Sequence, residues 1–224
     1  MNTNAIHSQQ LFKFFSKGKL LRYKKGDIIL RPEDQPKGIY FISKGYVKSY
    51  IITEWGDEKI ISIYKSGEFF PIFYIFDQKP ITKFYEAMSN VQIYTIGRVY
   101  ILKYLQKNKE LLLAFTINIA QLLEFCYERI DNLEYTKAHA RFCSRLLTLS
   151  ERFGENINNT IIIKAPITHH DIAASIAMSR ETASREFELL KKKGIVTLQN
   201  HYIVIKDKQK LEQELNIDHN KKLL

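Results

Sequence analysis

The sequence predicts an α+β chain: an N-terminal antiparallel β jelly roll, a long helix, and a C-terminal winged helix-turn-helix. Three observations carry that expectation. From Leu20 to Thr95, short β-rich segments alternate with turn signals: Gly26-Asp27, Pro32-Glu33-Asp34, Ser43-Lys44-Gly45, Trp55-Gly56-Asp57 and Ser66-Gly67. From Leu112 to Leu133, apolar residues recur at steps of three and four, a helical period. From Thr168 to Lys193, two short helical patterns follow one another and lead into a hairpin signal. The expected domains are 1–107, 108–136 and 137–224.

Taken in order, residues 5–16 form a short helix with Ile6, Leu11, Phe12 and Phe15 on its apolar side. In the β-rich region, glycines 26, 38, 45, 56 and 67 recur as the corners of a small jelly roll require. Residues 98–106 make one helix. Asn108 opens a long one to Tyr135, with Leu112, Phe115, Ile119, Leu122, Cys126, Ile130 and Leu133 as an a/d seam. At about 28 residues, or roughly 42 Å, it is too long to serve its own domain alone. Residues 137–153 form an amphipathic helix with Phe142, Leu146 and Leu149 inward, 154–159 a polar turn, and 161–163 a short strand. Strands 195–198 and 202–205 flank Gln199-Asn200-His201 as a wing, and the tail from Lys206 carries one short helix.

Within Thr168–Lys193, Thr168 with Asp171 fits a capping box, and Ser179 with Glu181 marks a second helix start. Ala183, Phe187 and Leu190 are the buried stripe of that second helix. The Lys191-Lys192-Lys193 run and Gly194 suit its C-terminus. On the opposite side, Arg180, Glu181, Ser184, Arg185 and Glu188 share a sector of roughly 140° at 100° per residue. Arginine can donate twice to guanine O6 and N7, and glutamate can accept from cytosine N4, so these groups can read base edges in a major groove. The alternative is a solvated face with Glu181 paired to Arg185.

The run Ser179-Arg180-Glu181-Thr182-Ala183-Ser184-Arg185 closely resembles the recognition-helix motif of the Crp/Fnr family of bacterial transcription regulators. Lys25-Gly26-Asp27, Ile39–Gly45 and Gly67-Glu68-Phe69 resemble that family's cyclic-nucleotide-binding-type jelly roll. The resemblance implies a homodimer joined along residues 108–136, with two recognition helices about one DNA turn apart. It implies double-stranded DNA, a second copy of the chain and RNA polymerase as partners, and an effector that shifts the long helix. Arg180, Glu181, Ser184 and Arg185 are then expected at base edges, and Thr168, Ser179 and Thr182 at phosphates. The motif satisfies both branches of the family, so the half-site is TGTGA- or TTGAT-like; Arg180, as a second guanine reader, favours TGTGA.

The effector is open. The candidate pocket residues are Phe69, Phe70, Phe73, Lys83, Phe84 and Tyr85. The family's cyclic-nucleotide members hold the phosphate with a Gly-Glu pair and a later Arg-Ser pair. Here Pro71 and Ile72 stand at the first, and the second segment, Ile81–Tyr85, has Lys83 but no arginine. Cyclic AMP is therefore not the expected ligand. A further departure is Ala177, at a turn where the family often carries glycine.

Composition agrees. The 224 residues carry a net charge of +10, which suits a polyanionic partner. No apolar run is read as reaching the roughly 20 residues of a spanning helix, no signal-peptide layout opens the chain, and two cysteines exclude a disulfide framework. The expected compartment is the cytoplasm. His169-His170-Asp171 is not a metal site, because adjacent helical histidines diverge by about 100°. No catalytic or phosphate-loop motif occurs, and no cofactor is expected. The competing reading is a jelly-roll small-molecule-binding module or metal-dependent enzyme with an accessory helical hairpin; the enzyme needs strand histidines, and none lies between His7 and His139.

Overall fold

The computed structural model describes residues 3–133, 135 and 137–216, with the side chains of 3–7, 128, 129, 131–133 and 216, Ile6 and Leu133 among them, outside the described set. The chain divides into two compact units, 1–124 and 125–224.

The first unit opens with α1 (Thr3–Phe15). Eight strands follow: β1 (Lys19–Tyr23), β2 (Ile28–Leu30), β3 (Ile39–Lys44), β4 (Val47–Ile52), β5 (Glu58–Tyr64), β6 (Phe69–Phe70), β7 (Phe84–Ala87) and β8 (Val91–Ile96). Then come α2 (Arg98–Lys107) and α3 (Lys109–Leu133), whose residues from Phe125 onward belong to the second unit. The strands form two antiparallel four-stranded sheets, in the orders β1-β8-β3-β6 and β2-β7-β4-β5. Non-sequential neighbours in both sheets are the mark of a jelly roll rather than a meander. The turn between β4 and β5 is closed by Gly56 N–H to Thr53 O at 2.9 Å, with Gly56 at φ +86°, and Trp55 stands on it 74% exposed.

Two apolar clusters hold this unit. In one, α1 lays Leu11, Phe14 and Phe15 against Phe41, Phe69 and, from α3, Leu111, Ala114 and Phe115. Phe15 stacks on Phe41 at 4.9 Å, and Phe69 meets Phe115 at 4.5 Å. The other contains Tyr40, Tyr64, Phe70 and Tyr85; Phe70 stacks on Tyr85 at 4.7 Å and on Tyr40 at 5.6 Å. Successive strand residues face opposite ways, so the neighbours Phe69 and Phe70 belong to different clusters. Burial, with Tyr64 beside it, pushes the Tyr85 phenol well above its ordinary value.

This packing corrects two expectations. Phe115 does not point away from its own domain: it is 2% exposed and part of the first cluster. Ile119 and Leu122 also pack against the two clusters. The a/d seam assigns one apolar stripe to the outer face, but α3 carries two. Its inner stripe is Leu111, Phe115 and Leu122; the outer one is Leu113, Leu123, Tyr127 and Ile130, all exposed. The second correction concerns length: Lys109–Tyr127 is, by length and composition, apolar enough to cross a membrane. Thr116, Asn118 and Gln121 interrupt the run without making it polar, and its inner stripe lies against the jelly-roll core.

The second unit contains α4 (Ala138–Phe153), β9 (Gly154–Ile157), β10 (Thr160–Ile163), α5 (His169–Ser175), α6 (Arg180–Lys192), β11 (Val196–Gln199), β12 (Tyr202–Ile205) and α7 (Lys208–Asn216). One sheet runs β11-β12-β10-β9. The expected polar turn at 154–159 is instead mostly β9; only Asn158 and Asn159 turn, at φ +46° and +61°. All four residues of β9 are exposed, so no alternation of apolar and polar residues marks it as a strand. The core is Phe142, Leu146, Leu149, Ile172, Ala183, Phe187 and Leu190, each fully buried.

Candidate nucleic-acid interface

Helices α5 and α6 build the site. At α5, Thr168 Oγ1 accepts from Asp171 N–H at 3.1 Å, and Asp171 Oδ2 accepts from Thr168 N–H at 2.8 Å, completing the expected capping box. The Thr168 hydroxyl also donates to the same carboxylate, so its proton is committed to the cap. The connection to α6 turns at Ala177, whose φ is +50°, and Met178 N–H donates back to Ala173 O at 3.1 Å. Alanine is strained in that left-handed region by roughly 1 kcal/mol.

Ser179 caps α6: its Oγ accepts from Thr182 N–H at 3.1 Å and lies 3.0 Å from Thr182 Oγ1. At the other end Gly194, at φ +72°, donates to Lys191 O, and Ile195 N–H donates to Leu190 O, the two bonds of a Schellman motif. Both ends of α6 are thus fixed by local chemistry, while Ala183, Phe187 and Leu190 anchor its inner side.

The outer side carries Arg180, Glu181 and Arg185, all exposed, with Ser184 half-buried beside them. Among the described residues, no ion pair joins Glu181 to Arg185; the pair that does form on this face is Glu188 with Lys191, at 3.0 Å, one turn beyond them. The Glu181 carboxyl is held below its usual value by its own backbone N–H and the Ser179 hydroxyl, so it stays an acceptor. Ser184 Oγ lies 3.4 Å from Nδ1 of His169, whose ring sits on Phe187 at 4.5 Å. Burial lowers the proton affinity of His169; Glu188 opposes this, and Arg180 and Lys191 reinforce it. Among the described residues, no group of three His, Cys, Asp or Glu side chains could hold a metal ion. The wing hairpin β11–β12 turns through Asn200 and His201, both with positive φ, in a two-residue loop closed at Gln199 and Tyr202.

The six candidate effector residues do not converge. Phe69 and Phe70 are wholly buried in separate clusters, Tyr85 is buried beside Phe70, and Phe73 is 80% exposed. Phe84 stacks on Tyr50 at 5.1 Å, and Lys83 is half-buried. Phe69, Phe70 and Tyr85 are therefore packing residues, because the jelly-roll interior is closed by its own rings. Sequence reading misses one polar group altogether, the His139, Glu186 and Glu214 set on α4, α6 and α7. The carboxylates stand 47 and 75 residues from the histidine, and no local pattern joins them.

Comparison with known proteins accords with this geometry. Residues 20–108 match the cyclic nucleotide-binding domain family, and residues 140–214 match the Crp-like helix-turn-helix domain family. The cAMP-activated global transcriptional regulator CRP of Pasteurella multocida is 22% identical over 206 residues, covering 92% of this chain and 98% of that protein. The global nitrogen regulator of Synechococcus elongatus is 23% identical, covering 96% and 99%. Among solved structures, a CRP/FNR-family transcriptional regulator from Thermus thermophilus superposes with a TM-score of 0.69 at 24% identity, over 88% of this chain and 98% of that one. The c-di-GMP responsive global regulator CLP of Xanthomonas campestris superposes with a TM-score of 0.72 at 17% identity, over 89% and 99%. With an antiparallel jelly roll ahead of a capped helix-turn-helix and a wing, and both domain families matched in that order, the chain belongs to the Crp/Fnr family of DNA-binding transcription regulators.

Proposed function

We propose that this protein is a non-catalytic, cytoplasmic homodimer that reads a palindromic DNA site with α6 and acts on transcription through RNA polymerase. The observation that carries the reading is the outer face of α6: Arg180, Glu181 and Arg185 exposed and not paired within the described residues, on a helix capped at both ends. Arg185 and Glu181 recognise a G·C pair, and Arg180 a second guanine, which favours a TGTGA-like over a TTGAT-like half-site. Ser184 supports them. The Thr182 hydroxyl, the Ser179 cap and the first-turn amides of α5 behind Thr168 meet phosphates.

The dimer face is the outer stripe of α3, Leu113, Leu123, Tyr127 and Ile130, with Leu112 and Cys126 at its margin; all are exposed and apolar at heptad spacing. Cyclic AMP is not the effector. The phosphate-binding residues are replaced, and the interior is filled by Tyr40, Tyr64, Phe70 and Tyr85. The relatives named above carry different effectors in their own names, cAMP for one and c-di-GMP for another, so the fold does not fix the ligand.

Selection of bound fragments from a random DNA pool by the purified protein tests the reading. A palindrome with a G·C pair at the shared position of each half-site is expected. A selected site without that pair, or no enrichment, overturns it.

A further inference from the structure

The second unit holds a cluster of ionisable side chains that is separate from the DNA-reading face. His139 lies in the first turn of α4 with a half-buried ring. Its Nδ1 is 2.7 Å from Glu186 Oε2 on α6, and its Nε2 is 3.1 Å from Glu214 Oε2 on α7. Both carboxylates are largely buried, their side chains 14% and 12% exposed. Lys193, the C-cap of α6, sets its Nζ 2.7 and 2.6 Å from the two Glu214 oxygens. From α4 itself, Cys143 Sγ lies 3.6 Å from Nε2.

The chemistry of this arrangement depends on one proton. An ionised carboxylate only accepts hydrogen bonds, and a neutral imidazole carries a single N–H. A neutral ring therefore satisfies one glutamate and turns its lone pair on the other. An imidazolium donates to both. Charge gives the same answer: His139 and Lys193 as cations balance Glu186 and Glu214, whereas a neutral His139 leaves one surplus negative charge in a site largely closed to water.

We propose that His139 is a positioning residue for the recognition helix: as imidazolium it clasps α6 at Glu186 to α4 and to α7 at Glu214, so that DNA affinity falls when this histidine loses its proton. This rests on the reading of α6 as the helix that enters the groove. Glu186 is the residue next to Arg185 and lies on the inner flank of α6, half-buried. Holding it fixes the rotation of the helix about its axis, and with it the direction of Arg185.

The test compares wild type with Glu186→Gln. A glutamine amide can donate to the ring as well as accept from it. In the variant a neutral imidazole is fully satisfied, donating to Glu214 and accepting from Gln, while the Lys193–Glu214 pair is untouched. Affinity for a selected DNA fragment is measured by fluorescence anisotropy at about pH 6 and about pH 8, at fixed salt. Wild type should lose on the order of fivefold more affinity across that interval than the variant. Every other histidine is common to both proteins, so its contribution cancels in the difference. Melting temperature without DNA is followed over the same interval, and it should fall for wild type more than for the variant. Identical pH profiles in both measurements overturn the proposal. If the melting profiles differ as expected but wild type shows no sequence-specific binding, the reading of α6 fails while the clasp stands.

Discussion

The two units treat their interiors and surfaces in opposite ways. The jelly roll closes its interior with rings: Phe70 stacks on Tyr40 and Tyr85 and meets Tyr64 at a tilt, while Trp55 and Phe73 stand exposed. The helix-turn-helix unit fills its interior mainly with small and aliphatic residues beside Phe125, Phe142, Phe153, Phe187 and the buried Arg145, and sets Arg180, Glu181 and Arg185 outside on a helix with capped ends. Rings fill the interior of one unit, and charged groups stand on the outer face of α6 in the other. A family resemblance spread over a whole chain therefore carries different weight in its two halves, and the residues at each site decide how far it reaches.

The sharpest way to break this contrast is to empty the jelly-roll interior. Phe70→Ala should destabilise the first unit by about 3–5 kcal/mol, since the lost ring leaves a cavity among stacked neighbours. Urea unfolding should show the loss; a change below about 1 kcal/mol would mean that the interior is not a tight core. Arg185→Ala should do the reverse: leave melting unchanged and weaken binding to the selected palindrome by about 1–3 kcal/mol, flattening preference at the shared G·C pair.

The clarity of the sequence follows the same division. Helix α6 is expected over 179–193 and spans Arg180–Lys192, because capping serine, first-turn acid, terminal lysines and glycine are all local signals. At Leu113, Leu123 and Tyr127 the outer stripe of α3 lies one residue away from the expected seam, and the two share Ile130; leucines fall on both sides of the helix, and only the jelly roll decides which are covered. Adjacent Phe69 and Phe70 look like one pocket wall in the sequence, yet a strand sends them to opposite faces. The His139 clasp is invisible there, since it joins residues far apart along the chain.

Two smaller changes sharpen the picture of the DNA-binding unit. Ala177→Gly should raise its stability by about 1 kcal/mol, since glycine takes a positive φ without the Cβ clash; differential scanning calorimetry reads it, and a destabilised variant would mean that the alanine methyl is needed. Lys193→Met acts on acid stability. Burial raises the Glu214 carboxyl, but Lys193 and His139 together outweigh it and leave it below its ordinary value. Such a group stabilises the fold above its unfolded value and loses that contribution as pH falls through the folded one. Without Lys193 the folded value rises, so melting temperature should begin to drop at a higher pH on acidification than in wild type. Coincident melting curves between about pH 3 and pH 6 would remove Lys193 from the account.

Trp55 gives the molecule a built-in optical reporter. It is the one tryptophan in the sequence, and it stands in solvent on the turn between β4 and β5. Its indole emission is that of a water-exposed ring and is nearly blind to the state of the core beneath it. The helix-turn-helix unit contributes no tryptophan signal at all. A change in emission colour on adding DNA or a small molecule thus originates at that hairpin, whereas the anisotropy decay follows the tumbling of the protein with whatever it has bound, and the native protein can be followed without a label.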